Sequence, residues 1–285
     1  MSEGRELLRQ YLRQRIDLAE PAIVLDAPVA SAGPSHPAAE QPQGRRAPET
    51  PRPAESGERR DAPLAEGANE PRWLRDAPAI PERGIVVASP TDDLFSDDPI
   101  AGLSLAELAD RVASCTRCAL SMSRTNAVPG EGPTDAKLVV VGEGPGATED
   151  ETGRPFVGRA GALLTEILAA IDLPREQVFI CNVVKCRPPQ NRKPVPAEIE
   201  SCVPFLHRQL DILEPAVILA MGGTAAETLL ETKQSLGALR NKVHEFRGIP
   251  VVVTYHPAAL LRNPHWKKPT WDDVRIARQL VDRHG

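Results

Sequence analysis

No stretch of this 285-residue sequence holds the run of about 18 to 20 apolar side chains that a membrane-spanning helix needs. Lysine is missing from the first 100 residues, and aromatic residues make up only 4% of the chain. The first 20 residues carry four arginines and four acidic side chains, too much charge for a secretory signal. A cytoplasmic protein without a membrane partner is therefore expected. Cysteine is scarce, five in all. In a reducing compartment those five point to metal-binding or structural roles before disulfides.

What is present is unevenly spread. Residues 1–100 hold about half of the 29 prolines, with 12 arginines against 18 acidic residues, a net of −6. The remainder has 22 basic and 21 acidic side chains, so the overall charge of −5 comes from the front segment. It does not argue against a nucleic-acid partner for the back one, where a DNA site must be a local patch. Residues 1–20 include an amphipathic helical pattern with Leu7, Leu8, Tyr11 and Leu12 along one side, a possible docking element for a protein partner. Residues 21–100 are rich in Ala, Pro, Glu and Arg. They bury too little to offset their ordering entropy and are expected to form a disordered linker. Order is predicted to begin near Ser104, where Ser-Leu-Ala-Glu offers a capping box.

From residue 101 to 285 apolar runs alternate with helical patterns. Strands are predicted at 138–141, 178–184, 216–221 and 249–254, with helices near 196–213, 223–231 and 271–282. That alternation predicts an α/β fold, a three-layer α/β/α sandwich on a four-stranded, mostly parallel sheet. The densest stretch is KLVVVGEGPGATEDETGRPFVGRAGALL, residues 137–164. A buried strand runs into Gly142-Glu143-Gly144-Pro145-Gly146, whose glycines let backbone approach a ligand closely. A dinucleotide fingerprint does not fit, because the third glycine is missing at its spacing and a proline sits inside the turn. The ligand pocket is expected at the carboxyl end of this strand.

Four cysteines form a second constellation. Cys115 and Cys118 are a C-x2-C pair, and Cys186 and Cys202 come after a gap of 67 residues with 15 between them. Both tetrahedral zinc and a [4Fe-4S] cluster fit four thiolates, and spacing leaves that open. Cys181 falls inside a predicted strand and reads as core.

The stretch from Gly142 to Gly161 resembles the first signature of the family 4 uracil-DNA glycosylases, GE(A/G)PG followed by ED, G, PFVG and AG. His256-Pro257-Ala258-Ala259-Leu260-Leu261-Arg262 is similar to the family's second signature, and NVVKCRPPQNRKPVPAEIESCVPFL to its segment carrying the last two cluster ligands. The likeness covers about residues 104–280. It implies a uracil-DNA glycosylase-like fold, a [4Fe-4S] cluster on Cys115, Cys118, Cys186 and Cys202, and a monomeric hydrolase that excises uracil from single- or double-stranded DNA and leaves an abasic site. By the same resemblance Phe156 stacks on uracil, Asn182 grips its pairing edge and His256 donates to O2, with Gly142, Glu143 and Gly144 around the base. Leu260 and Leu261 become a wedge into the duplex, and Arg262 and Lys185 are expected DNA contacts, with further basic residues at Arg187, Arg192, Lys193, Arg240, Lys242, Lys267 and Lys268. A better-known uracil glycosylase family has an aspartate just after the position of Glu143. Here that place is Gly144, so Glu143, Glu149 and Asp150 are the candidates to handle the attacking water.

Two other readings belong to different classes. One is a uracil-DNA binding protein that traps its substrate covalently; a related branch of the superfamily carries GEQPG and a basic loop ending in histidine, whereas residues 187–196 contain no histidine. The other is a non-catalytic iron–sulfur partner of a repair or replication assembly.

Overall fold

The computed structural model describes residues 70–89 and 99–284. The helix expected within 1–20 and most of the linker expected over 21–100 lie outside these residues. Among the described residues six strands form one sheet: Arg83–Val87 (β1), Leu138–Gly142 (β2), Phe179–Asn182 (β3), Val217–Met221 (β4), Val243–Phe246 (β5) and Ile249–Thr254 (β6). Their order is β1-β5-β6-β4-β2-β3, and every neighbouring pair is parallel except β5 with β6.

The central strands β2, β3 and β4 lack polar alternation because both faces of the sheet are covered there. On one face Leu138 and Val140 pack with Leu164 and Leu168 of the helix Arg159–Ala170 and with Val274 and Ala277 of the helix Lys267–His284. On the other, Val139 and Val141 meet Leu108 of the helix Leu105–Ala113 and Phe205 and Leu206 of the helix Pro196–Leu213. The result is the α/β/α sandwich read from the sequence. In chain order the helices are α1 (Leu105–Ala113), α2 (Ala147–Thr152), α3 (Arg159–Ala170), α4 (Pro196–Leu213), α5 (Gly223–Leu229), α6 (Leu236–Leu239), α7 (Pro257–Arg262) and α8 (Lys267–His284). The capping box at Ser104 is formed on both arms, with Ser104 N–H donating to Glu107 Oε2 at 2.8 Å and Glu107 N–H to Ser104 Oγ at 3.4 Å.

Six strands replace the four expected. β5 is short and carries polar residues, and it joins β6 through Arg247 and Gly248, both at positive φ (50° and 84°). That is the backbone of a two-residue hairpin turn, reached here by Arg-Gly rather than the usual Asn-Gly signal. β1 comes from the stretch expected to be linker, so the linker does not extend to residue 100 as predicted. Trp73 is buried, and α8 holds the segment around it: Arg275 Nη1 donates to the Arg75 carbonyl at 3.0 Å and Gln279 Nε2 to the Pro78 carbonyl at 3.0 Å. Isolated apolar residues in a Pro/Ala-rich background became ordered because α8 and β5 supply the surface they lack locally.

The topology also places the site. The chain leaves β2 for β3 on one side and then crosses to β4 on the other. A crevice therefore opens at the carboxyl ends of β2 and β4, the switch point where open α/β sheets bind ligands.

Candidate active site

Register aligns four strand ends around that crevice. Gly142 pairs with Asn182, Val141 with Ala220, and Met221 with Thr254. The residues at and just beyond these ends line a cavity of about 710 Å³, among them Glu143, Phe156, Asn182, Tyr255, His256 and Arg262. Gly142 ends β2 directly behind two of the lining residues, Asn182 and Phe156. A β-carbon there would lie 2.4 Å from Asn182 Oδ1 and 2.6 Å from Phe156 Cζ, so glycine is what lets the amide and the ring converge over the end of β2. A second cavity, about 530 Å³, opens at the other end of the sheet near Lys137 and Ala216; the charged pair lining it, Arg83 and Glu245, is satisfied internally.

Phe156 sits in a constrained turn at φ 50°, a left-handed backbone that a bulky residue rarely adopts. Two side chains hold it, Arg175 and Glu149. Arg175 donates from Nη1 to the Phe156 carbonyl at 2.9 Å and from Nη2 to the Pro155 carbonyl at 2.5 Å, while Nη2 also pairs with Glu131 at 2.7 Å. Glu149 Oε1 accepts the N–H groups of Val157 and Gly158, each at 2.9 Å, and its Oε2 accepts Gly146 N–H at 3.1 Å, tying the two glycine loops together. At Gly161 a β-carbon would fall 1.8 Å from the Phe156 carbonyl oxygen, so α3 starts in contact with the turn only because that residue is glycine.

Asn182 is 1% exposed, and its Oδ1 has no protein partner. A buried amide oxygen left unpaired costs about 1 to 3 kcal/mol, a cost that a ligand donor in the cavity offsets. His256 caps α7: its Nδ1 accepts the Ala258 N–H at 3.2 Å, which places the ring proton on Nε2. Burial, with the Arg262 charge adding to it, pushes the His256 pKa from the ordinary 6.5 down to about 4, against a smaller opposite pull from Glu149. A neutral imidazole with an Nε2–H donor is the form present at pH 7. The His256 and Phe156 rings lie 5.4 Å apart, inclined by 28°. Glu143 Oε2 accepts from the buried Thr224 hydroxyl, and its Oε1 takes no protein donor among the described residues. A β-carbon at Gly144 would come 2.7 Å from Val184 Cγ2, so the backbone here leaves no ready room for a second acid.

The four cysteines share one small pocket. Cys115 and Cys118 reach it from the loop after α1, Cys186 from the loop after β3 and Cys202 from α4, with Val112 and Phe205 beside them. Cys186 Sγ accepts from Arg124 Nη1 at 2.9 Å, Cys202 Sγ from Lys185 N–H at 3.3 Å and Cys115 Sγ from Arg117 N–H at 3.5 Å. Burial raises the Cys186 thiol and pushes Cys202 up to about 11. Donors aimed at buried sulfurs suit thiolates that share their charge with a bound group. No group of three or more His, Cys, Asp or Glu among the described residues is set to hold a metal ion. Cys181 is fully buried in β3, as core.

A family model described as the uracil DNA glycosylase superfamily matches residues 129–277. A type-4 uracil-DNA glycosylase of Thermotoga maritima is 46% identical over 182 residues, which covers 62% of this chain and 95% of that protein. This chain is a type-4 uracil-DNA glycosylase family member. Another such protein, from Archaeoglobus fulgidus, is 42% identical over 188 residues, 63% of this chain and 94% of its own. A type-5 uracil-DNA glycosylase of Thermus thermophilus is 36% identical over 135 residues, covering 42% of this chain and 59% of that one.

In this type-4 family member the cavity gathers Glu143, Gly144, Phe156, Asn182, His256 and Arg262, all predicted from the sequence. Other predictions need correction. Lys185 is not a surface contact: it is 1% exposed, with Nζ donating to the Asn182 carbonyl at 2.8 Å and to Gln209 Oε1 at 2.6 Å, so it supports the end of β3 that carries Asn182. Leu260 is also buried, because one helical step turns it toward the body and leaves Leu261 outward, 41% exposed. Asp150 is 3% exposed and accepts Thr125 N–H at 2.9 Å, away from the cavity. Of the basic rim, Arg240 is locked onto Asp273 at 2.7 Å, Arg192 onto Glu198 at 2.7 Å and Lys193 onto Glu227 at 2.9 Å. Arg187, Lys242, Arg262 and Lys267 keep no carboxylate partner among the described residues.

Thr224, Arg175, Tyr255 and Trp266 were missed. Thr224 comes directly after the Gly222-Gly223 turn that marks the end of β4, a position from which a strand-end site residue was open to inference. Arg175 had no local signal: its role depends on a turn 19 residues earlier.

Proposed function

We propose that the chain removes uracil from DNA by hydrolysing its N-glycosidic bond. This rests first on the unpaired, buried Asn182 Oδ1 in a cavity with an aromatic face and a neutral histidine donor. A flipped uracil presents an N3–H donor to that oxygen and O4 to the amide nitrogen, while its face rests on Phe156. As the bond to the sugar breaks, negative charge grows on uracil O2, where His256 Nε2–H donates without having to carry a charge itself. Glu143, fixed by Thr224 through one oxygen, offers the other to the attacking water and to the cation-like sugar. Water adds its oxygen to C1′, uracil leaves with the bonding electrons and takes up a proton, and an abasic site remains.

Around the cavity, Leu261 is the residue positioned to fill the gap in the stack, and Arg262 and Lys267 supply phosphate contacts. Cys115, Cys118, Cys186 and Cys202 are the residues that would hold a [4Fe-4S] cluster. It would supply structure rather than redox chemistry, since Cys186 is next to Lys185 and Lys185 holds the Asn182 carbonyl. The five free cysteines suit a cytoplasmic protein. A monomer acting on single or double strands, with residues 3–20 as a docking element for a protein partner, completes the reading.

Asn182→Ala tests it. The variant should fold and lose about 100-fold or more in the rate of uracil release from a uracil-containing oligonucleotide. Undiminished release would remove Asn182 from the site.

A further inference from the structure

The cavity is larger than one pyrimidine ring requires and is of a size that takes drug-sized ligands. Away from Phe156 and Asn182 it is walled by Tyr255, Trp266, Ala259 and the start of α6, Ser235–Gly237. Tyr255 and Trp266 stack face to face there, with centroids 4.6 Å apart and planes inclined by 4°. Beneath Tyr255 lies the Arg240 guanidinium, 4.5 Å from the ring centroid, itself held by Asp273 Oδ2 at 2.7 Å and Oδ1 at 3.0 Å. Asp273 also accepts from Thr254 at 2.7 Å, and the Trp266 carbonyl accepts from Thr270 at 2.8 Å. A buried ion pair, a cation–π contact and an aromatic stack thus run in series from the core to the cavity wall. Both aromatic rings remain partly exposed. Rings held in place this way bind a flat partner at little further entropic cost. Arg262, on α7 between the two aromatics, is exposed and without a carboxylate partner among the described residues.

We infer that the Tyr255–Trp266 stack is a subsite for a nucleobase adjacent to the flipped uracil in the same strand. The inference rests on the uracil reading of Asn182 and Phe156. Any base offers a π face, so the contact tolerates sequence, and a cationic side chain beside it suits the intervening phosphate. The stack would favour strands whose bases next to uracil are unstacked, that is, single strands and duplex ends.

The test uses the full chain, two single-stranded oligonucleotides and the variants Trp266→Ala and Trp266→Phe. One oligonucleotide carries uracil between natural bases. The other has a baseless tetrahydrofuran spacer on both sides of the uracil nucleotide. For the wild type, removal of the flanking bases should cut kcat/KM by on the order of tenfold. In Trp266→Ala the same removal should cost twofold or less, while Trp266→Phe should restore most of the dependence. Equal losses in wild type and Trp266→Ala, or no dependence on the flanking bases in the wild type, would overturn the inference and leave the uracil site standing. Wild-type protein that releases uracil from neither oligonucleotide would overturn the reading of the site itself and this inference with it.

Discussion

Gly142→Ala is a one-methyl perturbation whose consequence can be worked from the geometry. The added β-carbon would lie 2.4 Å from Asn182 Oδ1 and 2.6 and 2.8 Å from Phe156 Cζ and Cε2, whereas an ordinary contact begins near 3.4 Å. The backbone at Gly142 is ordinary strand, so alanine itself is tolerated and the amide and ring must yield by roughly an ångström. Overpacking of this kind costs about 1 to 3 kcal/mol. For a domain of this size that lowers Tm by about 2 to 12 °C, which calorimetry reads directly. A displacement of about 1 Å in the groups that grip the base costs on the order of 100-fold in rate, far more than the folding loss implies at a temperature where the variant is intact. Single-turnover uracil release from an oligonucleotide, measured well below Tm, separates the two effects. Gly102→Ala is the control, since nothing lies within 4 Å of its β-carbon position. If Gly142→Ala excised uracil at the wild-type rate, Asn182 and Phe156 would not form the base pocket.

Other contacts lead to further expected outcomes. Because His256 is held neutral down to about 4, the acid limb of kcat should lie near pH 4 to 5, with no bend near 6.5; a bend at 6.5 would mean that His256 acts as a charged acid. The unfolded chain protonates His256 and His207 near 6.5 while the folded chain resists until about 4, so the unfolded state binds more protons in that window. Stability should therefore fall as pH drops from 6.5 toward 4, as denaturant melts at stepped pH would show. Deleting residues 1–69 should leave excision intact. Deleting 1–89 also removes buried Trp73 and edge strand β1 and should lower Tm by at least about 6 °C, and equal Tm values would refute the placement of that segment. Arg175→Met frees the carbonyls of Pro155 and Phe156 and should slow release by on the order of tenfold while binding to an abasic-site oligonucleotide stays unchanged; unaltered release would show that the Phe156 turn holds itself.

Much of the site was legible because its residues sit at ends of strands that announce themselves. Val139 to Val141, Val178 to Cys181 and Val217 to Met221 are uninterrupted apolar runs, and Glu143, Asn182 and Gly222, just beyond their ends, line the crevice. Gly142 and Gly161 were visible as glycines, but the atoms each is pressed against became clear only with the ring and carbonyl of Phe156 in place. The misplaced side chains are those whose environment comes from distant sequence. Lys185 looked like a surface cation until Gln209, 24 residues on, supplied its acceptor, and Arg240 until Asp273, 33 residues on, supplied its partner. Leu260 and Leu261 are neighbours in one motif, and only the docking of α7 decides which faces water. β1 and Trp73 lay in a segment whose composition predicts disorder, since their partners in β5 and α8 are more than 150 residues away.

The most direct measurement is incubation of the purified chain with an end-labelled, uracil-containing oligonucleotide, run on a denaturing gel before and after hot alkali. A glycosylase leaves intact strands before alkali, cleavage at the uracil position after it, and free uracil in solution, and that is the expected result. A band shifted upward that survives denaturation would mean covalent trapping, and intact strands under both conditions would contradict a glycosylase altogether.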